Sequence, residues 1–379
     1  MGALAGIQVV DLTRILAGPF CTQLLADMGA EVIKIESAGG DPVRGQGTMI
    51  AGYSAYFAQF NRNKKSVVLD LYADAGKAAL SQLLREADVV VENYRPGVFA
   101  RMGYDEATLE GLNPRLVHAS VNGYGKDGPY ADRPSFDFIA QAMSGFMSVN
   151  GEPDGPPMRA APPLSDLIAG LYCAFGVVCA LQSRGRTGAG QSVDASLTGG
   201  LMSMMAYLSA EALNAGTEPV RTGNDHPIAS PYGLFEASDG EIAVAPSNDT
   251  YVLRFLCAVG LEHLLEQPDY LTNADRVVHR RQLNATINAV TSQRSVAHWI
   301  EVINGAGCPC GRVMSLGEVF ADPQVGAQEM VLESCPEGGQ PLRITGFPVK
   351  FSKTPCTLRL PPPHLGEHTD DILGRLKAD

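Results

Sequence analysis

The 379-residue sequence predicts an α/β protein: a large domain on a mostly parallel sheet, followed by a smaller α+β domain. Two observations carry this prediction. Over the first 125 residues, short apolar strands alternate with helix-like stretches, the pattern of a parallel sheet covered on both faces. After a linker at 217–230 that contains Pro and Gly, a block over 231–325 opens with strands and continues as helices.

In chain order, residues 7–12 (IQVVDL) form the opening strand and 20–28 a helix, which Gly29 stops before the strand at 31–36 (EVIKIE). A Gly-rich loop leads to a strand at 66–71, a helix at 75–86 and strands at 88–92 and 116–121. The turn after the first strand, Leu12-Thr-Arg-Ile-Leu-Ala-Gly-Pro19, holds one glycine. It therefore lacks the G-x-G-x-x-G fingerprint, and no G-x-x-x-x-G-K-[ST] loop occurs elsewhere. The sheet reads as Rossmann-like, without nicotinamide or ATP binding by the usual loop. Residues 126–163 are loop-like around a helix near 137–147. The uncharged apolar run 167–181 is fifteen residues long, short of the about 20 that a membrane span needs, so a buried helix over 164–182 is expected. The sequence Arg184-Gly-Arg-Thr-Gly-Ala-Gly190 stops that helix, residues 191–196 are strand-like, and 197–215 read as a Met-rich helix.

Composition removes several function classes. Twenty-nine basic against 41 acidic residues leave a formal charge of −12, which argues against broad binding to nucleic acid or to an anionic membrane. Eight scattered cysteines are no disulfide framework and read as reduced thiols of a cytoplasmic protein. Cys308-Pro-Cys310 has no further Cys or His close in sequence to complete a zinc site, so no metal is expected. Charged residues make up 18% of the chain, low enough to favour an oligomer that buries further surface.

Two carboxylates stand out. Asp166, in Pro162-Pro-Leu-Ser-Asp166, falls at or just inside a helix N-terminus. There it could be a helix cap, or a carboxylate kept ionised beside donors for an oxyanion. Asp137, between Phe136 and Phe138, could be a cap, a buried hydrogen-bonding group or a functional carboxylate. Basic residues at 62, 64, 65, 95 and 101 lie near predicted strand ends, where ligands of open α/β sheets bind. They could equally be solvated. His226 sits in the linker.

Val10-Asp-Leu-Thr-Arg-Ile-Leu-Ala-Gly-Pro19, Gly29-Ala-Glu-Val-Ile-Lys-Ile-Glu36, Val91-Glu-Asn-Tyr-Arg-Pro-Gly97, Gly223-Asn224 and Leu365-Gly-Glu-His-Thr369 occur in this order along nearly the whole chain. In these motifs the sequence resembles the class III CoA-transferases, of the formyl-CoA:oxalate and carnitine CoA-transferase type. The resemblance implies an interlocked-ring homodimer. Residues 1–216 would form the large CoA-binding domain, 217–230 a linker, 231–325 the small domain, and 326–379 a return segment completing the large domain. It implies Asp166 as nucleophile and Asp137 as supporting carboxylate. CoA contacts are implied at Arg14, Ile15, Leu16, Leu69, Asn93, Tyr94, Arg101 and Met102. The segment 226–231, with His226 and Ser230, replaces a glycine-rich loop and is the candidate lid over the substrate, bulkier and able to carry positive charge on His226. CoA enters as a co-substrate, with no tightly bound cofactor.

The implied reaction moves CoA from an acyl-CoA to a free carboxylic acid through an aspartyl anhydride and an aspartyl-CoA thioester. With Arg14, Arg221 and His226 as possible partners for a second carboxylate, the expected acceptor is a dicarboxylate. The ordinary aspartate pKa, about 3.9, would keep Asp166 ionised. Two alternatives stay open: intramolecular CoA transfer on one dicarboxylate, and an α-methylacyl-CoA racemase-type isomerase. The racemases carry a His before the residue matching Asp137; here that position is Phe136, which cannot shuttle a proton.

Overall fold

The computed structural model describes residues 1–50, 52–335 and 341–376. It divides into two compact units. The first comprises Met1–Phe146, Ala160–Ala210 and Asp322–Asp379, and the second Met147–Arg159 and Glu211–Ala321.

The first unit is organised by a parallel sheet of six strands: β1 (Gln8–Asp11), β2 (Glu31–Glu36), β3 (Lys64–Val68), β4 (Val89–Glu92), β5 (Val117–Asn122) and β6 (Ser192–Ser196). Their spatial order is β3-β2-β1-β4-β5-β6, with Val9 in register with Val32 on one side and Val89 on the other. The order reverses between β1 and β4, and open sheets of this topology bind ligands at such a point, beyond the carboxyl ends of the strands.

Alternation along β1 feeds two cores. Val9 points into one with α1 (Ala17–Asp27) and α4 (Leu164–Thr187), through Cys21, Leu25, Cys173 and Val177. Val10 points into the other, with Ile33, Leu80, Leu84 and Phe99. The apolar stretch expected as a buried helix is α4, and burial covers one of its faces. Ala169, Cys173, Val177 and Ala180 pack inward, whereas Leu171 and Phe175 are exposed. The Met-rich stretch divides into helices Leu197–Ser203 and Ala206–Ala215, with Ala206 at a positive φ of 49° at the start of the second.

The return of the chain to this unit closes a sheet edge. Gly366 N donates to Ser66 Oγ, His368 N to Ser66 O, and Val68 N to Thr369 Oγ1. Leu365-Gly-Glu-His-Thr369 thus clasps β3, whose free backbone groups would otherwise invite pairing with another chain.

The second unit holds a three-stranded antiparallel sheet with Gly240–Val244 between Cys310–Arg312 and Gly233–Ala237. Phe235, Ile242, Phe255, Leu283, Ile287 and Trp299 form its core. Residues 147–159, expected with the large domain, belong here. The Arg221 guanidinium donates to the carbonyls of Ser148, Glu152 and Gly155, and Gly223 N donates to Gly151 O. This tie engages Arg221, one of the side chains expected to meet a second carboxylate, with three backbone carbonyls.

Candidate active site

Asp166 is the third residue of α4. Pro162 and Pro163 cannot continue the helix backwards, and Pro163, at the cap position, has no side chain able to cap. The cap comes from elsewhere in the sequence. Asp137, buried at the start of α3 (Asp137–Met143), accepts from Ser165 N at 3.0 Å and Ser165 Oγ at 2.9 Å. Its other oxygen accepts from Gln141 Nε2 at 2.7 Å. Of the readings open in the sequence, the helix cap falls to Asp137. Asp166 accepts no hydrogen bond among the described residues, and its half-buried carboxyl faces a cleft.

Burial, and secondarily the Asp137 carboxylate, push the Asp166 carboxyl up from 3.8 to about 7. This overturns the expectation of an ordinary aspartate. Carboxyls are not the only groups affected. Tyr56, on α2 (Ala55–Asn61), is pushed up to about 12 by burial and by the carboxylates of Asp166 and Asp41, so it is a protonated donor at any working pH. The sequence around Tyr56 carries no motif that marks it; its proximity to Asp166 arises only in the folded sheet.

The cleft, about 530 Å³, lies at the sheet's switch point. The turn after β1 contributes Arg14, Ile15, Leu16 and Ala17, and the loop after β4 contributes Asn93, Tyr94, Arg95 and Arg101. Phe136 and Arg133 complete the wall beside Asp166. Arg14, Arg95, Arg101 and Arg133 make this wall strongly basic in a chain of net charge −12. Arg133 lies in a loop whose sequence pointed to no ligand.

The expected CoA contacts are thus only partly brought together. Arg14, Ile15, Leu16, Asn93, Tyr94 and Arg101 line the cleft. Leu69 and Met102 do not, because their side chains belong to the core beneath β1 and β4: Leu69 is buried there and Met102 packs against it. The Asn93 amide is already occupied, accepting from Arg14 N at 2.9 Å and donating to Arg14 O at 2.8 Å, so it shapes the turn.

The start of α1 reaches Asp166 because of one glycine. A Cβ on Gly170, one turn beyond Asp166, would stand 2.5 Å from Ala17 O, well inside contact distance. Only hydrogen at that position lets α4 cross α1 so closely.

In the second unit the 226–231 segment is tied down. The Arg280 guanidinium donates to His226 O at 2.7 Å, Asn273 Nδ2 to Ile228 O at 2.8 Å, and Arg276 Nε to Ser230 O at 2.8 Å. Ser230 N donates to Asn273 Oδ1, and its buried hydroxyl has no partner among the described residues. Burial, then Arg280, hold His226 below its usual pKa, which favours the neutral imidazole over the charge this segment could carry. Cys308 and Cys310 are pushed up to about 11, mainly by burial, which disfavours the thiolates a metal would need.

Residues 4–369 match CoA-transferase family III. The chain belongs to this family. It is 37% identical to the succinate–glutarate CoA-transferase of Agrobacterium fabrum, over 99% of this chain and 96% of the relative. With the acetyl-CoA:oxalate CoA-transferase of Acetobacter aceti it shares 39% identity over 93% of this chain and 90% of the relative. The crystal structure of a CAIB/BAIF family protein from Brucella suis superposes with a TM-score of 0.88 at 35% identity, covering 99% of both chains. The protein is an enzyme that transfers CoA from an acyl-CoA to a carboxylic acid.

The α1–α4 crossing makes a direct prediction. Gly170→Ala is expected to destabilise by about 1–3 kcal/mol through overpacking. It should also lower kcat, because α1 is forced away from Asp166. Denaturant midpoints and steady-state transfer rates check the two effects.

Proposed function

We propose that Asp166 is the covalent nucleophile of a CoA transfer whose acceptor is a dicarboxylic acid. The observation that carries the reading is an unpartnered carboxylate, raised in basicity, set in an arginine-walled cleft at the sheet's switch point. At neutral pH a group titrating at about 7 is about half ionised, and its anion is more nucleophilic than a solvated aspartate. The arginines suit the phosphates of CoA and the free carboxylates of the two acids. The relatives named for succinate, glutarate and oxalate support a dicarboxylate.

In this scheme an Asp166 oxygen bonds to the thioester carbonyl carbon, the C–S bond breaks, and CoA leaves as thiolate from a mixed anhydride. The thiolate then attacks the aspartyl carbonyl, releasing the first acid and leaving an aspartyl-CoA thioester. The acceptor carboxylate displaces CoA to form a second anhydride. CoA attacks the acceptor's carbonyl, and Asp166 is freed. Each tetrahedral intermediate carries an oxyanion, and the protonated Tyr56 hydroxyl is a suitable donor. Asp137 is a positioning residue that orients the first turn of α4 and raises the basicity of Asp166. Racemisation is disfavoured because the cleft presents Phe136, which has no exchangeable proton, where an acid–base partner would stand. We also propose a homodimer. Phe175, exposed at 65%, together with Leu171, Phe138, Met143 and Met202, leaves the first unit with more exposed apolar side chains than a lone globule favours.

The experiment is a trap. Acyl-CoA with hydroxylamine should modify Asp166, found by peptide mapping, and Asp166→Ala should abolish transfer. Turnover without any label at Asp166 rules the covalent scheme out.

Four outcomes follow from the electrostatics and the surface. Log kcat/KM of wild type should rise with pH and level off above about 7, as Asp166 in the free enzyme ionises. Because the folded state retains this proton after the unfolded chain has lost it, Asp166 costs stability increasingly as pH rises from 3.8 to about 7. Asp166→Asn should therefore raise Tm more at pH 8 than at pH 4. Tyr56→Phe, which removes one oxyanion donor, should lower kcat by about 10²–10³-fold in the same assay. Sedimentation equilibrium should return twice the chain mass, and a monomer mass would exclude the homodimer.

A further inference from the structure

Ile15 is the unusual residue of the cleft wall. Its side chain branches at Cβ, yet its φ is +72°, a region that branched L-residues rarely occupy. Such a conformation persists only where its surroundings impose it. Here three side chains do so, each on a different residue of the turn. Thr13 O accepts from Lys34 Nζ at 2.8 Å, Arg14 is closed on both backbone groups by Asn93, and Ile15 N donates to the two Asp41 oxygens at 3.1 and 3.3 Å.

Lys34 and Asp41 are themselves an ion pair at 3.0 Å, with both side chains fully buried. Desolvation makes such a pair a poor source of stability compared with apolar residues of similar size. What it supplies is fixed geometry. Asp41 is held from behind, its own N–H donating to Glu36 Oε2 at 2.9 Å, and Glu36 is gripped by Arg44 through two bonds of 2.8 and 2.6 Å. Neither Lys34 nor Asp41 lines the cleft.

We infer that the buried Lys34–Asp41 pair is a positioning device for CoA transfer: it imposes the left-handed turn at Ile15 and thereby sets Leu16 and Ala17 against Asp166. Reversal of φ at residue 15 would redirect the chain immediately before α1 and open the wall facing the carboxylate. The inference rests on the reading that the Asp166 cleft is the site of transfer.

The test uses Asp41→Ala, Asp41→Asn and Lys34→Met in the full chain, each with and without Ile15→Gly. Asp41→Ala should lose about 100-fold in kcat, with KM for the acyl-CoA changing far less, as expected for misplacement around the reacting atoms. Asp41→Asn, which keeps an acceptor for Ile15 N, should lose less. Because glycine enters the left-handed region without steric cost, Ile15→Gly placed in the Asp41→Ala background should restore about tenfold of the lost kcat. Lys34→Met should follow the same pattern. A folded Asp41→Ala that keeps kcat within about threefold of wild type overturns the inference, as does a loss that Ile15→Gly leaves unrelieved. Where Asp41→Ala yields no soluble protein, the Asp41→Asn and Lys34→Met pairs decide by the same criterion. Asp166→Ala runs alongside. Activity in that variant removes the nucleophile reading, whereas an inactive Asp166→Ala beside a fully active Asp41→Ala removes the positioning inference alone.

Discussion

The hydrogen bond from Ser165 N to the Asp137 carboxylate is the contact on which the catalytic arrangement depends. Helix α4 begins after two prolines with no cap of its own, and the first amides of a helix need an acceptor. Asp137 provides one from another helix, so the start of α4 is fixed by a residue 28 positions earlier in sequence. The same carboxylate is close enough to Asp166 to oppose its ionisation. One side chain thus orients the proposed nucleophile and raises its pKa. Two carboxylates in neighbouring environments take different roles, one saturated with hydrogen bonds and the other left without any.

The cleft combines two demands that conflict in water. In the proposed transfer it holds an anionic substrate, for which Arg14, Arg95, Arg101 and Arg133 supply charge, and it keeps Asp166 basic enough to attack carbon. Ion pairing with an arginine would lower the pKa of Asp166 and weaken it as a nucleophile. Burial is the first cause of its shift and Asp137 the second, with no arginine opposing them. The positive wall and the Asp166 carboxyl therefore share a cavity without an ion pair that would lower its pKa.

Much of this was legible in the sequence, because strand–helix alternation and strand-end turns are local signals. Parallel strands buried on both faces read as apolar runs, and the topology then placed the cleft. The place of Asp166 at a helix start was legible from the prolines before it and the apolar run after it, whereas its proposed role came with the family resemblance. What failed to show were relations between distant segments. Met102 follows the cleft residue Arg101 in sequence and Leu69 follows the end of β3, but side-chain direction sends both into the core. Tyr56 and Arg133 belong to segments without a pattern of their own. The lowered pKa of His226 comes from burial and then from Arg280, which lies 54 residues away. The pKa of Asp166 was misjudged for the same reason, since burial is a property of the fold and not of its neighbours in the chain.

The clasp of residues 366–369 on β3 has a consequence for how the molecule is made. During synthesis on a ribosome, all of the second unit emerges before the sheet's outer edge is closed, because that edge waits for residues some 300 positions downstream. Until residues 366–369 have been made, the nascent sheet carries an open parallel edge.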